Sequence, residues 1–315
     1  MWTKQARRSA PIALLVFAIA MTGHPEVASA TTPLTVAYAG SMGAVMDKGL
    51  GPRFDSMHAS TFQGMGHGAY GLARLLAARQ QRADVFVSIT AGPVEILQKA
   101  GLLGEAVPVA STQMVIAYSK HSHYAKALQA ARHGGKPWYE VLQTPGLRFG
   151  RTDPAVDPQG RNIIFAMQLA ERYYKQPGLA AKILGPVQNA KQVFAEPSLL
   201  SRLQSGQLDA SSGYLSAAIS QHLSYVPLPD EINLSNPAMI ARWYSRAHFS
   251  IHQPNGKAVE LAPQPLVFYA GVLKNAAHPR LAAQFVDFLR SAKGQELLSA
   301  YGYSKPKGHA LWPAR

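Results

Sequence analysis

The chain contains no cysteine. That excludes disulfides, thiolate metal sites and a cysteine-linked lipid anchor together. Acidic residues are scarce, with 17 Asp+Glu against 31 Lys+Arg and a formal net charge of +14. The basic residues are scattered and never form a run of four, so the excess reads as a generally basic surface, and nucleic acid is not an expected partner. There is no internal repeat and no low-complexity tract. Long apolar runs are also missing. The one that stands out, over 10–21, is interrupted by Pro11 and is too short to span a bilayer. Lys4, Arg7 and Arg8 precede it and Ala28-Ser29-Ala30 follows, so residues 1–30 read as a secretory signal peptide and the mature protein as soluble, exported and periplasmic. Without that segment a net charge of about +12 remains.

What is present is a regular alternation of strand and helix patterns. Strands are expected over 34–38, 60–63, 83–88, 114–118, 147–150, 208–212 and 266–272. Helices are expected to about residue 49 and over 72–80, 93–100, 138–142, 160–174, 197–205, 215–222, 279–291 and 295–301. Residues 225–229 read as extended, 250–256 as a turn or hairpin, and 304–315 as a loosely ordered tail. The order implies an α/β fold with a mostly parallel sheet covered on both faces, and 315 residues suffice for two lobes.

One stretch organises the rest: Asp153-Pro154, Asp157-Pro158 and Gly160 lie between an apolar strand and a long helix. Each Asp-Pro step marks a turn. Gly160 lets the backbone approach something closely as the helix begins. A helix N-terminus with free N–H groups suits an anion, although a capped strand-to-helix connection would look the same.

Three local signatures point elsewhere. Ala39-Gly40-Ser41-Met42-Gly43 resembles a degenerate nucleophile elbow, but it follows the first strand of the mature chain rather than several. Gly66-His67-Gly68-Ala69-Tyr70-Gly71 fits the dinucleotide pattern, yet Asp84 comes too early and begins the next strand instead of closing it. His121-Ser122-His123 has no further ligand at metal spacing and reads as a solvated turn.

Four strand-to-helix turns carry small or hydroxyl residues: Gly40-Ser41, Gly68-Ala69, Asp157 to Gly160, and Gly213-Tyr214. In an open α/β sheet such turns gather at the carboxyl ends of the strands, where ligands bind. Their donors are backbone N–H, a Ser hydroxyl and a Tyr hydroxyl. A fully deprotonated oxyanion offers only acceptors, so a set of donors without Lys or Arg suits it. The alternative is four ordinary helix caps.

The chain resembles the exported molybdate/tungstate-binding proteins of ABC transporters, particularly the tungstate-binding branch. The similarity runs through essentially the whole mature chain. It is carried by Ala39-Gly40-Ser41, Arg82-Ala83-Asp84-Val85-Phe86, residues 115–120, Thr152-Asp153-Pro154, Asp157-Pro158 with Gly160, and residues 168–174. The most specific run is Leu223-Ser224-Tyr225 followed by Leu228-Pro229-Asp230-Glu231-Ile232-Asn233-Leu234-Ser235.

The resemblance implies a two-lobed type II periplasmic binding protein fold with the ligand cleft between lobes. Lobe 1 would comprise 31–112 and 266–315, and lobe 2 would comprise 113–265. Crossings fall near 110–114 and 264–267. It implies a monomer without cofactor that captures molybdate or tungstate and delivers it to a membrane permease. Gly40, Ser41, Gly68, Ala69, Asp157, Gly160 and Tyr214 are the implied ligand-binding residues, with Ala69 offering only its N–H.

In the archaeal tungstate branch two carboxylates complete a six-coordinate metal centre. Asp157 is the implied counterpart of one, and the other aligns at Gly213, which has none. A single carboxylate beside a dianion is repulsive unless it ligates the metal, is protonated or turns away as a cap. Tetrahedral oxyanion binding is therefore expected, with Asp157 as cap or weak fifth ligand and Arg161 able to offset its charge. Two alternatives stand beside this: a site for another oxyanion such as sulfate or thiosulfate, and an exported serine hydrolase using Ser41.

Overall fold

The strand patterns resolve into two sheets and a hairpin in the computed structural model, which describes residues 1–2, 31–252 and 256–314. The signal peptide expected over 1–30 lies almost wholly outside the described residues. The strands are β1 (Thr32–Ala39), β2 (Ser60–His67), β3 (Val85–Ser88), β4 (Val107–Ser111), β5 (Met114–Tyr118), β6 (Phe149–Gly150), β7 (Ala210–Tyr214), β8 (Ser224–Pro227), β9 (Phe249–His252), β10 (Ala258–Leu261) and β11 (Val267–Val272). One sheet has the order β2-β1-β3-β11-β4 and the other β6-β7-β5-β8, with β9 and β10 forming the antiparallel hairpin expected near 250–256.

The sheets are mixed rather than mostly parallel. β1 is parallel to β2 and β3, but β11 runs antiparallel to β3 and β4, and β5 antiparallel to β7 and β8. The reason for β11 is its route: it re-enters the first sheet from the second and arrives running the other way. The chain leaves the first sheet after Ser111, enters the second at Met114, and returns at Val267. Thr112 N–H donates to Leu266 C=O at 3.0 Å and fastens the two crossings together.

The helices are α1 (Gly43–Val45), α2 (Gly51–His58), α3 (Ala69–Ala77), α4 (Ala91–Lys99), α5 (Ala125–Ala131), α6 (Trp138–Leu142), α7 (Pro158–Tyr173), α8 (Leu179–Leu184), α9 (Glu196–Gln204), α10 (Leu215–Ser220), α11 (Pro279–Arg290) and α12 (Ala292–Ala300). The helical path expected to stop near residue 49 continues through a widened turn at 46–50 into α2, and Ala59 in the left-handed region ends it. Phe54 of α2 meets Phe285 of α11 edge-on at 5.1 Å. α7 buries Ile163, Ile164, Met167, Leu169 and Ala170. The largest buried apolar cluster runs through both sheets, from Leu34 and Val36 to Ile116 and Ile163. Among the described residues no helix is long and apolar enough to cross a membrane.

β4, α5 and α8 lie outside the expected elements, and the tail differs from its expectation. β4 carries Pro108, which the sheet tolerates because β4 lies at its edge. The tail is tied down rather than loose. Ser304 and Ser111 exchange backbone bonds at 2.9 Å, and Leu311 and Ala106 do so at 2.8 and 3.0 Å, covering the edge at β4.

Candidate functional site

Four chain turns converge on one small chamber. Gly40 and Ser41 come from the end of β1, Gly68 and Ala69 from the start of α3, Asp157 and Pro158 from the start of α7, and Tyr214 from the end of β7. The chamber adjoins a wider cleft of about 890 Å³, whose walls add His67, Thr152, Asp153 and Val156. Two turns belong to the first sheet and two to the second.

Ser41 sits in the tight helical turn after β1. Its carbonyl accepts a hydrogen bond from the buried Tyr303 hydroxyl at 2.9 Å, which anchors the turn. Among the described residues its own hydroxyl has no hydrogen-bond partner and is free for a ligand. Gly68 is the N-cap of α3 and supplies no side-chain cap, so the first N–H groups of that helix stay available. Ala69 is buried and offers only its backbone. The Tyr214 hydroxyl accepts from Asn162 Nδ2 at 3.1 Å, which leaves its own proton to donate. Burial holds that phenol well above its usual pKa, so it stays protonated.

Asp157 caps α7: its carboxylate accepts from Gln159 N–H at 2.8 Å. Burial raises its pKa overall, and the Gln159 and Gly160 N–H groups and the Arg161 charge offset only part of that rise. Arg161 does not line the chamber. Its Nε and Nη2 donate to Pro154 and Ala155 C=O at 2.7 and 2.9 Å, and its guanidinium lies 4.5 Å from the centre of the Tyr70 ring. It braces the turn that precedes Asp157.

Gly160 is also off the chamber wall. A Cβ there would meet Thr152 O at 2.3 Å, so this glycine lets α7 pack against the turn that carries Asp153 and Pro154.

Glu196, at the start of α9, was not recognised in the sequence. It is partly buried and lines both the chamber and the cleft; a Cβ at Gly40 would lie 3.5 Å from its carboxylate oxygen. Burial, then the charge of Asp157, pushes its pKa up to about 7. Asp157 is therefore not the lone carboxylate expected: a second one arrives from α9 while Gly213 contributes none. The sequence signal was slight, an acidic residue before Pro197 at a helix start. Among the described residues, no lysine or arginine lines the chamber or cleft.

Packing and chain ties account for the three competing signatures. Gly64 and Gly66 lie in β2, not in a phosphate-cradling turn. A Cβ at Gly66 would meet the Tyr38 ring at 2.6 Å, and one at Gly64 the Asp47 carboxylate at 2.6 Å, so these glycines make room for the Tyr38–Asp47 pair. Asp84 is buried and accepts from Thr35 and His278 N–H at 2.9 and 3.0 Å, a tie between chain segments. His67 shares the cleft with Ser41, but among the described residues no hydrogen bond joins them. The Ser122 hydroxyl between His121 and His123 donates to Asp209 at 2.7 Å. Among the described residues no group of three or more His, Cys, Asp or Glu could hold a metal ion.

Two sheet-based lobes with donors gathered at the strand ends define a class: two-lobed binding proteins of the periplasmic type. Within it, the chain belongs to the bacterial extracellular solute-binding protein family, whose model matches residues 34–304. It is 28% identical over 291 residues to the molybdate/tungstate-binding protein WtpA of Thermococcus kodakarensis, covering 84% of this chain and 80% of that one. It is 27% identical over 319 residues to WtpA of Pyrococcus abyssi, covering 92% and 89%. Among solved structures, the periplasmic molybdate-binding protein of Azotobacter vinelandii superposes with a TM-score of 0.57 at 17% identity, covering 87% of this chain and all of that one. The resemblance found in the sequence is borne out at the level of family and fold.

Proposed function

We propose that this protein captures molybdate or tungstate in the periplasm, without catalysis and as a monomer, and delivers it to the membrane permease of an ABC transporter. The observation that carries the reading is the convergence of the Ser41 hydroxyl, the Tyr214 hydroxyl and the uncapped N-terminus of α3 on one small chamber. An oxyanion presents acceptors in every direction, and each of these groups is a donor. The two WtpA relatives carry the same ligand class in their names. Ser41 without a hydrogen-bonded histidine favours binding over hydrolysis.

In this reading the lobes are 31–112 with 266–315, and 113–265, and they close on the anion by hinge motion at the paired crossings. The anion keeps its tetrahedral geometry, with Asp157 serving as the cap of α7. Calorimetric titration with molybdate, tungstate and sulfate in parallel tests this. Saturable 1:1 heat with molybdate or tungstate is expected. Tighter sulfate binding would move the assignment to another oxyanion, and no binding of any of the three would refute it.

A further inference from the structure

The chamber sets an electrostatic problem that its donors do not solve. Asp157 and Glu196 both line it, and an ionised carboxylate is acceptor-only. A dianion placed among them meets like charge and acceptors facing acceptors. We propose that Glu196 contacts the bound oxyanion, and that Glu196 and Asp157 hold one proton between them when it is bound, so that capture takes up a proton. This rests on the oxyanion reading of the chamber.

The groups facing Glu196 leave little other compensation. Asp157 at the start of α7 and Asp153 in the turn before it are acidic. Tyr214 at the end of β7 and Tyr303 from the C-terminal segment are phenols kept neutral by burial. His67 at the end of β2 is exposed at the cleft. Arg161 acts on Asp157, but its Nε and Nη2 donate to main-chain carbonyls. The two acids also differ. Asp157 accepts the Gln159 N–H and sits on a helix N-terminus, which favours its ionised form. Among the described residues no hydrogen bond reaches the Glu196 carboxylate. Glu196 therefore takes the proton. The proton comes from solvent, rests on the Glu196 carboxyl, and turns an acceptor into a donor aimed at an anion oxygen. No bond to the metal atom forms.

The test is calorimetry with tungstate at pH 6 and pH 8, repeated at pH 8 in two buffers of different ionisation enthalpy. With Glu196 titrating at about 7, affinity should fall about tenfold from pH 6 to pH 8. Proton uptake at pH 8 should approach one per anion, about 0.9. Glu196→Gln carries a permanent neutral donor and should abolish both effects while still binding. A wild-type affinity independent of pH with no proton exchange would overturn the proposal, as would undiminished uptake in E196Q. Should the variant fail to fold, the wild-type series alone decides. A folded protein that binds neither tungstate nor molybdate at any pH refutes the oxyanion reading itself, an outcome distinct from pH-independent binding.

Discussion

Replacing Glu196 by Gln should change how the stability of the ligand-free protein depends on pH. The carboxyl titrates at 4.5 when unperturbed and at about 7 in the folded chain, because burial and Asp157 disfavour its charge. Between those values the folded state binds more protons than the unfolded state. Stability from this group is thus fully present below about 4.5 and lost as pH rises through about 7. At 1.36 kcal/mol per pKa unit the ceiling is roughly 3 kcal/mol. Glu196 keeps some contact with water, which screens the effect, so about 2 kcal/mol is the working expectation. Urea unfolding at pH 5 and pH 8, with linear extrapolation, measures it. From pH 5 to pH 8, E196Q should gain about 2 kcal/mol relative to wild type. Equal pH dependence in the two proteins, within about 0.5 kcal/mol, would refute the reasoning that Glu196 is a desolvated acid beside Asp157.

Tyr214→Phe removes a donor hydroxyl from the chamber. Hydrogen bonds to a charged partner contribute about 1.5–3 kcal/mol, so tungstate affinity should drop about ten- to a hundredfold by calorimetry. Gly160→Ala places a methyl 2.3 Å from a backbone oxygen that cannot swing away, so a loss of about 3 kcal/mol or more in denaturant unfolding is expected. Gly66→Ala presses on the Tyr38 ring at 2.6 Å and should cost about 1–3 kcal/mol in the same assay, without the loss of anion binding that a phosphate-cradle role would entail.

The fold was legible in the sequence where pattern and position agree. β5 and α6 match their expected limits, and the hairpin at β9 and β10 falls where polar turn residues suggested it. The four turns that meet at the chamber were legible because small and hydroxyl residues at strand ends have a local signature. Reading failed where the cause is a distant partner. Gly66 looks like part of a phosphate-cradling turn, but it is a strand residue cleared for Tyr38, which lies on the neighbouring β1. Pro108 looks like a break until β4 is known to be an edge strand. The tail has little local propensity and takes its order from the backbone of Ala106 and Ser111. Glu196 reaches the chamber only because α9 packs beside β7, a contact that no local pattern around residue 196 encodes.

The central claim is that the four converging turns hold an oxyanion. Tungsten scatters X-rays anomalously, so a crystal grown with tungstate answers it directly. One anomalous peak should appear in the chamber, within hydrogen-bonding reach, through the anion's oxygens, of the Ser41 hydroxyl, the Ala69 N–H and the Tyr214 hydroxyl. The oxygens of Asp157 and Glu196 should lie outside bonding distance of the metal. A peak elsewhere, or none in a crystal of folded protein soaked to saturation, would contradict the account. A tungsten atom bonded directly to Asp157 and Glu196 would retain the site but overturn the tetrahedral, proton-coupled mode of binding.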